Sequence, residues 1–92
     1  MKRWPTLAAD AFEKLIRLYP DYAQAYYYLG ETYGRLEKLN YAHFNLGVYY
    51  KMTLDYKNAA FHLEKALKTT DDPEKKIKIE VMLIEIRKAK KN

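Results

Sequence analysis

His43 and His62 are the side chains of this chain best suited to proton transfer or metal ligation. Neither has a carboxylate or second histidine at ligand spacing beside it, and His62-Leu63-Glu64 lacks the partner residues of a deaminase or peptidase signature. The chain has no H-E-x-x-H, no glycine-rich phosphate loop and no cysteine. Thiol nucleophiles, thiolate metal sites and disulfides are therefore excluded. We read both histidines as packing or surface residues, and the chain as a non-enzyme needing no cofactor or metal.

The remaining candidates bind rather than react. Ten tyrosines fall between Tyr19 and Tyr56, and 17 Lys and Arg outnumber 12 Asp and Glu for a net charge of +5. Much of that excess lies near the C-terminus, in "EKKIKIE" and "RKAKKN". Cations there suit the negative end of a helix dipole and a solvated face. No nucleic-acid motif accompanies them, so no nucleic-acid partner is expected. No run approaches the roughly 20 apolar residues that span a bilayer, so direct membrane insertion is not expected. "MKRWPTLAAD" has no apolar stretch before Asp10 and Glu13 and does not read as a signal peptide.

What would position these residues is a set of helices. The chain is 92 residues long, with hydrophobic residues at 49% and charged residues at 32%, which fits one small globular domain. Apolar spacing is helical throughout, and nothing reads as strand. Pro5 suits a first helical turn; Asp21, Asn40 and Asp55 suit N-caps; Asp72-Pro73-Glu74 is a cap, a first-turn proline and a first-turn acid. These starts recur about 17 residues apart, which predicts five helices of roughly 13–18 residues joined by short turns. Short turns make neighbours antiparallel. Shifted against itself by 34 residues, a two-helix unit, the chain aligns Ala8 with Ala42, Asp21 with Asp55, Tyr22 with Tyr56, Ala25 with Ala59 and Leu29 with Leu63.

At these residues the chain resembles the tetratricopeptide repeat family, whose first helix reads W-x-x-L-G-x-x-Y and whose second reads A-x-x-x-F/Y-x-x-A before a proline. Residues 40–73 match best. Leu46-Gly47 and Tyr50 fill the first half, with His43 in the tryptophan place, and Tyr56, Ala59, Leu63 and Ala66-Leu67 fill the second before Pro73. Tyr26, Leu29-Gly30 and Tyr33 spell the first-helix motif again, one helix earlier. We favour the frame with hairpins at 6–39 and 40–73 and a final helix at 73–90. The rival frame pairs helices two and three. Either way the resemblance implies one all-α domain over residues 1–92, a right-handed stack of five helices.

The resemblance also implies a function: a concave groove, lined by first helices, that docks a peptide segment of a protein partner. Carried over by position, the third helix presents Tyr41, Phe44, Val48 and Lys51, the first adds Lys14 and Arg17, and the fifth adds Lys75, Lys78 and Met82. The expected ligand is apolar with some acidic character. Asn45 matches the asparagine of the family's carboxylate clamp, but Phe44 stands where a lysine would help, so such a clamp is not expected. Tyr22, Tyr26, Tyr33, Tyr50 and Tyr56 fall at packing positions. Tyr27, Tyr28, Tyr41 and Tyr49 exceed what packing requires, which suggests an aromatic contact surface.

The last helix carries two apolar strips, a narrow one of Ile77, Val81 and Ile84 and a broader one of Ile79, Met82, Leu83, Ile86 and Ala89. A terminal capping helix needs only one. We expect Ile79, Met82, Leu83 and Ile86 to meet a second copy of the chain or a partner. A narrower likeness, in "YYYLGETYGRLEKLNYAHFNLGVYYK" and "DYKNAAFHLEKAL", is to the helical-repeat tails of bacterial H-E-x-x-H zinc metallopeptidases. It implies a non-catalytic tail that guides substrate or partner. The compartment would be cytoplasmic if Met1 is the native start and periplasmic if the chain is such a tail.

Overall fold

The computed structural model describes residues 3–91. Met1, on which the expected compartment turns, lies outside them. Five helices follow in order: α1 Arg3–Leu18, α2 Ala23–Arg35, α3 Leu39–Met52, α4 Tyr56–Thr69 and α5 Pro73–Lys91. No strand occurs among the described residues. The connections at 19–22, 36–38, 53–55 and 70–72 are too short for anything but antiparallel neighbours. Each helix packs mainly on those before and after it in the chain. The outcome is a row of helices, 45 × 26 × 20 Å, rather than a closed bundle.

The helix ends show which cap signals act. Asp55 caps α4, accepting from the Asn58 amide at 3.3 Å and from Asn58 Nδ2 at 2.8 Å. Asp72 does the same for α5, accepting from the backbone of Glu74 at 3.0 Å. Asp21 does not cap α2. Pro20 and Asp21 form the corner of a turn closed by the Tyr22 amide on the Tyr19 carbonyl at 3.0 Å, so the helix begins later, with Tyr22 at its N-cap. Asn40 lies inside α3, whose N-cap is Lys38.

Helices α2 and α3 end alike, through residues in the left-handed region that are not glycine: Glu37 with φ 59° and Leu54 with φ 66°. After α3, the Leu54 amide donates to the Lys51 carbonyl at 3.1 Å and the Asp55 amide to the Tyr50 carbonyl at 2.8 Å. This is the paired bond pattern of a Schellman stop. Leu54 is exposed and gains little from packing. The left-handed conformation costs an L-residue about 1–2 kcal/mol, whereas glycine at this site loses only about 0.5–1 kcal/mol of extra chain entropy. Leu54→Gly is therefore expected to stabilise the fold by about 0.5–1 kcal/mol, read as a higher denaturant midpoint.

Small residues set the close crossings. A Cβ on Gly30 would stand 2.7 Å from Leu46 Cγ, and one on Gly47 would stand 2.6 Å from Leu63 Cγ. Each glycine of the duplicated Leu-Gly motif thus admits a leucine of the following helix. This explains why α2 and α3 both carry the motif: the step from α2 to α3 and the step from α3 to α4 use the same contact. The core behind it is Ala25, Leu29, Ala42, Ala59, Leu63 and Ala66, continued by Ile79 and Ile86 of α5.

The surplus tyrosines mostly form a ladder. Phe12 stacks on Tyr28 at 5.8 Å, Tyr28 meets Tyr27 at 5.8 Å, and Tyr27 meets Tyr49 at 5.1 Å. Tyr49 then meets Tyr50 at 5.1 Å, and Tyr50 stacks on His62 at 5.6 Å. Rings at such separations attract beyond simple area burial, and the series runs from α1 to α4. Tyr27, Tyr28 and Tyr49 are thereby engaged with neighbouring rings. Tyr22, expected to pack, is exposed.

Candidate partner-binding groove

The odd-numbered helices are parallel to one another, and their facing sides bound an open cavity of about 520 Å³. Glu13 and Ile16 come from α1, Phe44, Asn45 and Val48 from α3, and Ile77, Lys78, Val81 and Met82 from α5; Tyr26 of α2 completes the lining. Spacings of three and four residues bring these side chains to one face of each helix. The floor is apolar. Phe44 and Met82 rest partly on the core, while Ile77 and Val81 are 61% and 48% exposed at the edge.

At one end α5 reaches over α3. Lys75 Nζ lies 4.3 Å from the Tyr41 ring centroid and 4.8 Å from that of Phe44. Both are within cation–π range. Burial lowers the Lys75 pKa from its ordinary value, opposed by the charges of Asp72 and Glu13. Beside it Tyr33 packs on Tyr41 at 5.2 Å and donates its hydroxyl to Glu13 Oε2 at 2.5 Å. Burial, and next that bond, push the Tyr33 phenol well up. At the other end Lys51 and Glu85 form an ion pair at 2.9 Å, tying α3 to α5. Asn45 lines the cavity and donates one Nδ2 hydrogen to the Tyr41 carbonyl of its own helix at 2.9 Å.

Of the residues expected in the groove, Phe44, Val48, Lys78 and Met82 line the cavity together. Tyr41 stands at its end under Lys75. Lys51 is engaged with Glu85. Lys14 and Arg17 border a second depression on α1 with Asp10, Ala11 and Glu13, and Glu13 lines the groove as well. Sequence reasoning missed Glu13, Ile16 and Tyr26, whose spacing on α1 and α2 does not reveal which side faces inward. Ile77 and Val81 were visible as the narrow strip of the last helix.

The broader strip of the same helix brings a correction. Ile79 is fully buried and Ile86 is 2% exposed, packed with Leu83 and Met82 against Ala59, Leu63 and Ala66. The broad strip expected to meet a second copy is therefore the one that attaches α5 to its own chain. A helix at the end of a row has one neighbour, and its wider apolar face gains most by taking it. The large apolar residues of α5 that stay exposed are Ile77, Val81 and Ile84.

A row of antiparallel helices with glycine-mediated crossings and an inner groove defines an all-α helical-repeat protein. The family model described as tetratricopeptide repeat matches residues 11–43, and the chain carries a tetratricopeptide repeat there. The match runs from within α1, through α2, into α3. It covers the Leu29-Gly30 copy of the motif on α2 and lies mostly before the segment 40–73. No curated protein and no solved structure matches the chain. The repeat is generally a non-catalytic scaffold for protein interaction. Among the described residues no helix is long and apolar enough to cross a membrane, and no group of three or more His, Asp or Glu is placed to hold a metal ion.

Proposed function

We propose that the chain is a protein-interaction module whose groove between α1, α3 and α5 docks a peptide segment of a partner. In this reading the hairpins are 6–39 and 40–73, and α5 closes the row while lending its narrow strip to the groove. The observation that carries it is the open apolar floor of Phe44, Val48 and Met82, with Lys78 beside it. An apolar side chain of the ligand would rest on Phe44, and an acidic group beside it would meet Lys78 and Lys75. The aromatic anchor supplies most of the affinity and the lysines orient the ligand. The reading as the repeat tail of a zinc metallopeptidase rests on the sequence resemblance alone.

Selection from a displayed library of random peptides on the immobilised chain tests this. The enriched peptides should pair apolar with acidic residues. Phe44→Ala should weaken a selected peptide by more than about 1 kcal/mol, near fivefold, with helical content by circular dichroism unchanged. Lys78→Glu should weaken it too and flatten its salt dependence. Selected peptides that bind both variants as tightly as the parent would refute the groove.

A further inference from the structure

Outside the groove, α3 and α4 meet at two histidines. His43 Nδ1 lies 2.9 Å from His62 Nδ1, and the ring centroids are 5.2 Å apart. The nitrogens are closer than the centroids by about two ring radii, so they point head-on at one another. Two ligands of one metal ion would converge on a point to the side instead. Head-on nitrogens make a hydrogen bond, and a neutral imidazole carries a single hydrogen over two nitrogens. One Nδ1 therefore donates and the other accepts.

The surroundings offer no counter-charge. From α4, the Lys65 ammonium bears on both rings and Phe61 meets His62 edge-on at 5.1 Å. From α3, the Tyr50 ring lies flat on His62, inclined by only 6°. Among the described residues no carboxylate, and no charged group of α2 or α5, weighs on either histidine.

We propose that His43 and His62 form an acid-sensitive latch on the α3–α4 seam, which holds with one added proton and opens on the second. The first proton goes to Nε2 of the donating ring. It leaves Nδ1–H···Nδ1 in place and makes that bond charge-assisted. The second must sit on the accepting Nδ1, where it meets the hydrogen already there. Two donors and two cations then face each other beside Lys65, and the rings part. The two protons thus belong to the pair and enter in separate steps. Burial lowers the pKa of both histidines from 6.5, and for His62 the charge of His43 lowers it further. The unfolded chain consequently binds protons more tightly than the folded one. Stability is full above pH 6.5 and falls as pH drops below it. Phe44, next to His43 in sequence, lines the groove, so an opened seam would also loosen a docked peptide. That last consequence rests on the groove reading; the latch does not.

The test is an NMR titration of both imidazoles in the full chain between about pH 7.5 and pH 5, with denaturant midpoints over the same range. The wild type should take up protons in two separated steps. In His43→Gln, His62 should titrate in one step, above the second step of the wild type. Over the range, the unfolding equilibrium constant of the wild type should rise about three- to tenfold more than that of His43→Gln or His62→Gln, the worth of one lost hydrogen bond. Histidines that titrate together, each indifferent to loss of the other, would overturn the latch, as would equal acid losses in all three proteins. Should the variants fail to fold, the wild-type titration decides alone. Because no peptide is present, failure here leaves the groove untouched.

Discussion

Shortening Leu63 to alanine is expected to lower the unfolding free energy by about 2–5 kcal/mol, out of a total on the order of 5–14 kcal/mol for a chain of this length. Leu63 is fully buried in the cluster that joins α4 to α5, and its branch fills the space left by the bare face of Gly47. Alanine would leave a cavity bounded by three helices. The row cannot close it by sliding one helix, because each is held by neighbours on both sides or, for α5, by a single face. Urea denaturation followed by circular dichroism gives the measurement. A loss below about 1 kcal/mol, less than any buried Leu→Ala exchange in a packed core, would mean that the α4–α5 junction is not packed as described.

Gly47→Ala should cost about 1–3 kcal/mol through overpacking. The added methyl would meet Leu63 at Cγ and Cδ2, both at 2.6 Å, and the Leu63 backbone nitrogen at 3.2 Å. The near atoms include the branch point and the main chain, so no rotation of a side-chain tip relieves the clash. In combination the two changes should be clearly less than additive, because removing the leucine branch makes room for the methyl. Contacting residues show such couplings, while independent sites add. Gly34 provides the control. A Cβ there meets nothing within 4 Å, so Gly34→Ala should instead gain about 0.5–1 kcal/mol from helix propensity. Strict additivity of Gly47→Ala with Leu63→Ala would contradict the close crossing of α3 and α4.

Much of this arrangement was legible in the residues. The start signals at Asp55 and Asp72-Pro73 act as caps, because a side-chain oxygen beside free backbone amides satisfies them locally. Asp21 misled because Pro20 draws it into a turn, and two local signals overlap there. The stops after α2 and α3 were hidden, since Glu37 and Leu54 occupy positions where glycine would have announced the turn. Four of the nine residues expected in the groove, Phe44, Val48, Lys78 and Met82, converge in the cavity. Phe44 and Val48 were readable because one helix face can be counted off by position, whereas Ile16 and Tyr26 depend on how α1 and α2 are rotated about their axes.

By itself the sequence determined five helices, their antiparallel order, the small residues at the crossings and the absence of cysteine chemistry. These follow from periods of three and four residues, from caps and from turn lengths, all of them short-range. Only the tertiary structure decided which strip of α5 is buried, that Tyr27, Tyr28 and Tyr49 join Phe12, Tyr50 and His62 in an aromatic ladder across four helices, and that two histidines of neighbouring helices meet Nδ1 to Nδ1. Those outcomes depend on rotations and separations between helices far apart in the chain. Side-chain spacing along one helix holds no record of them.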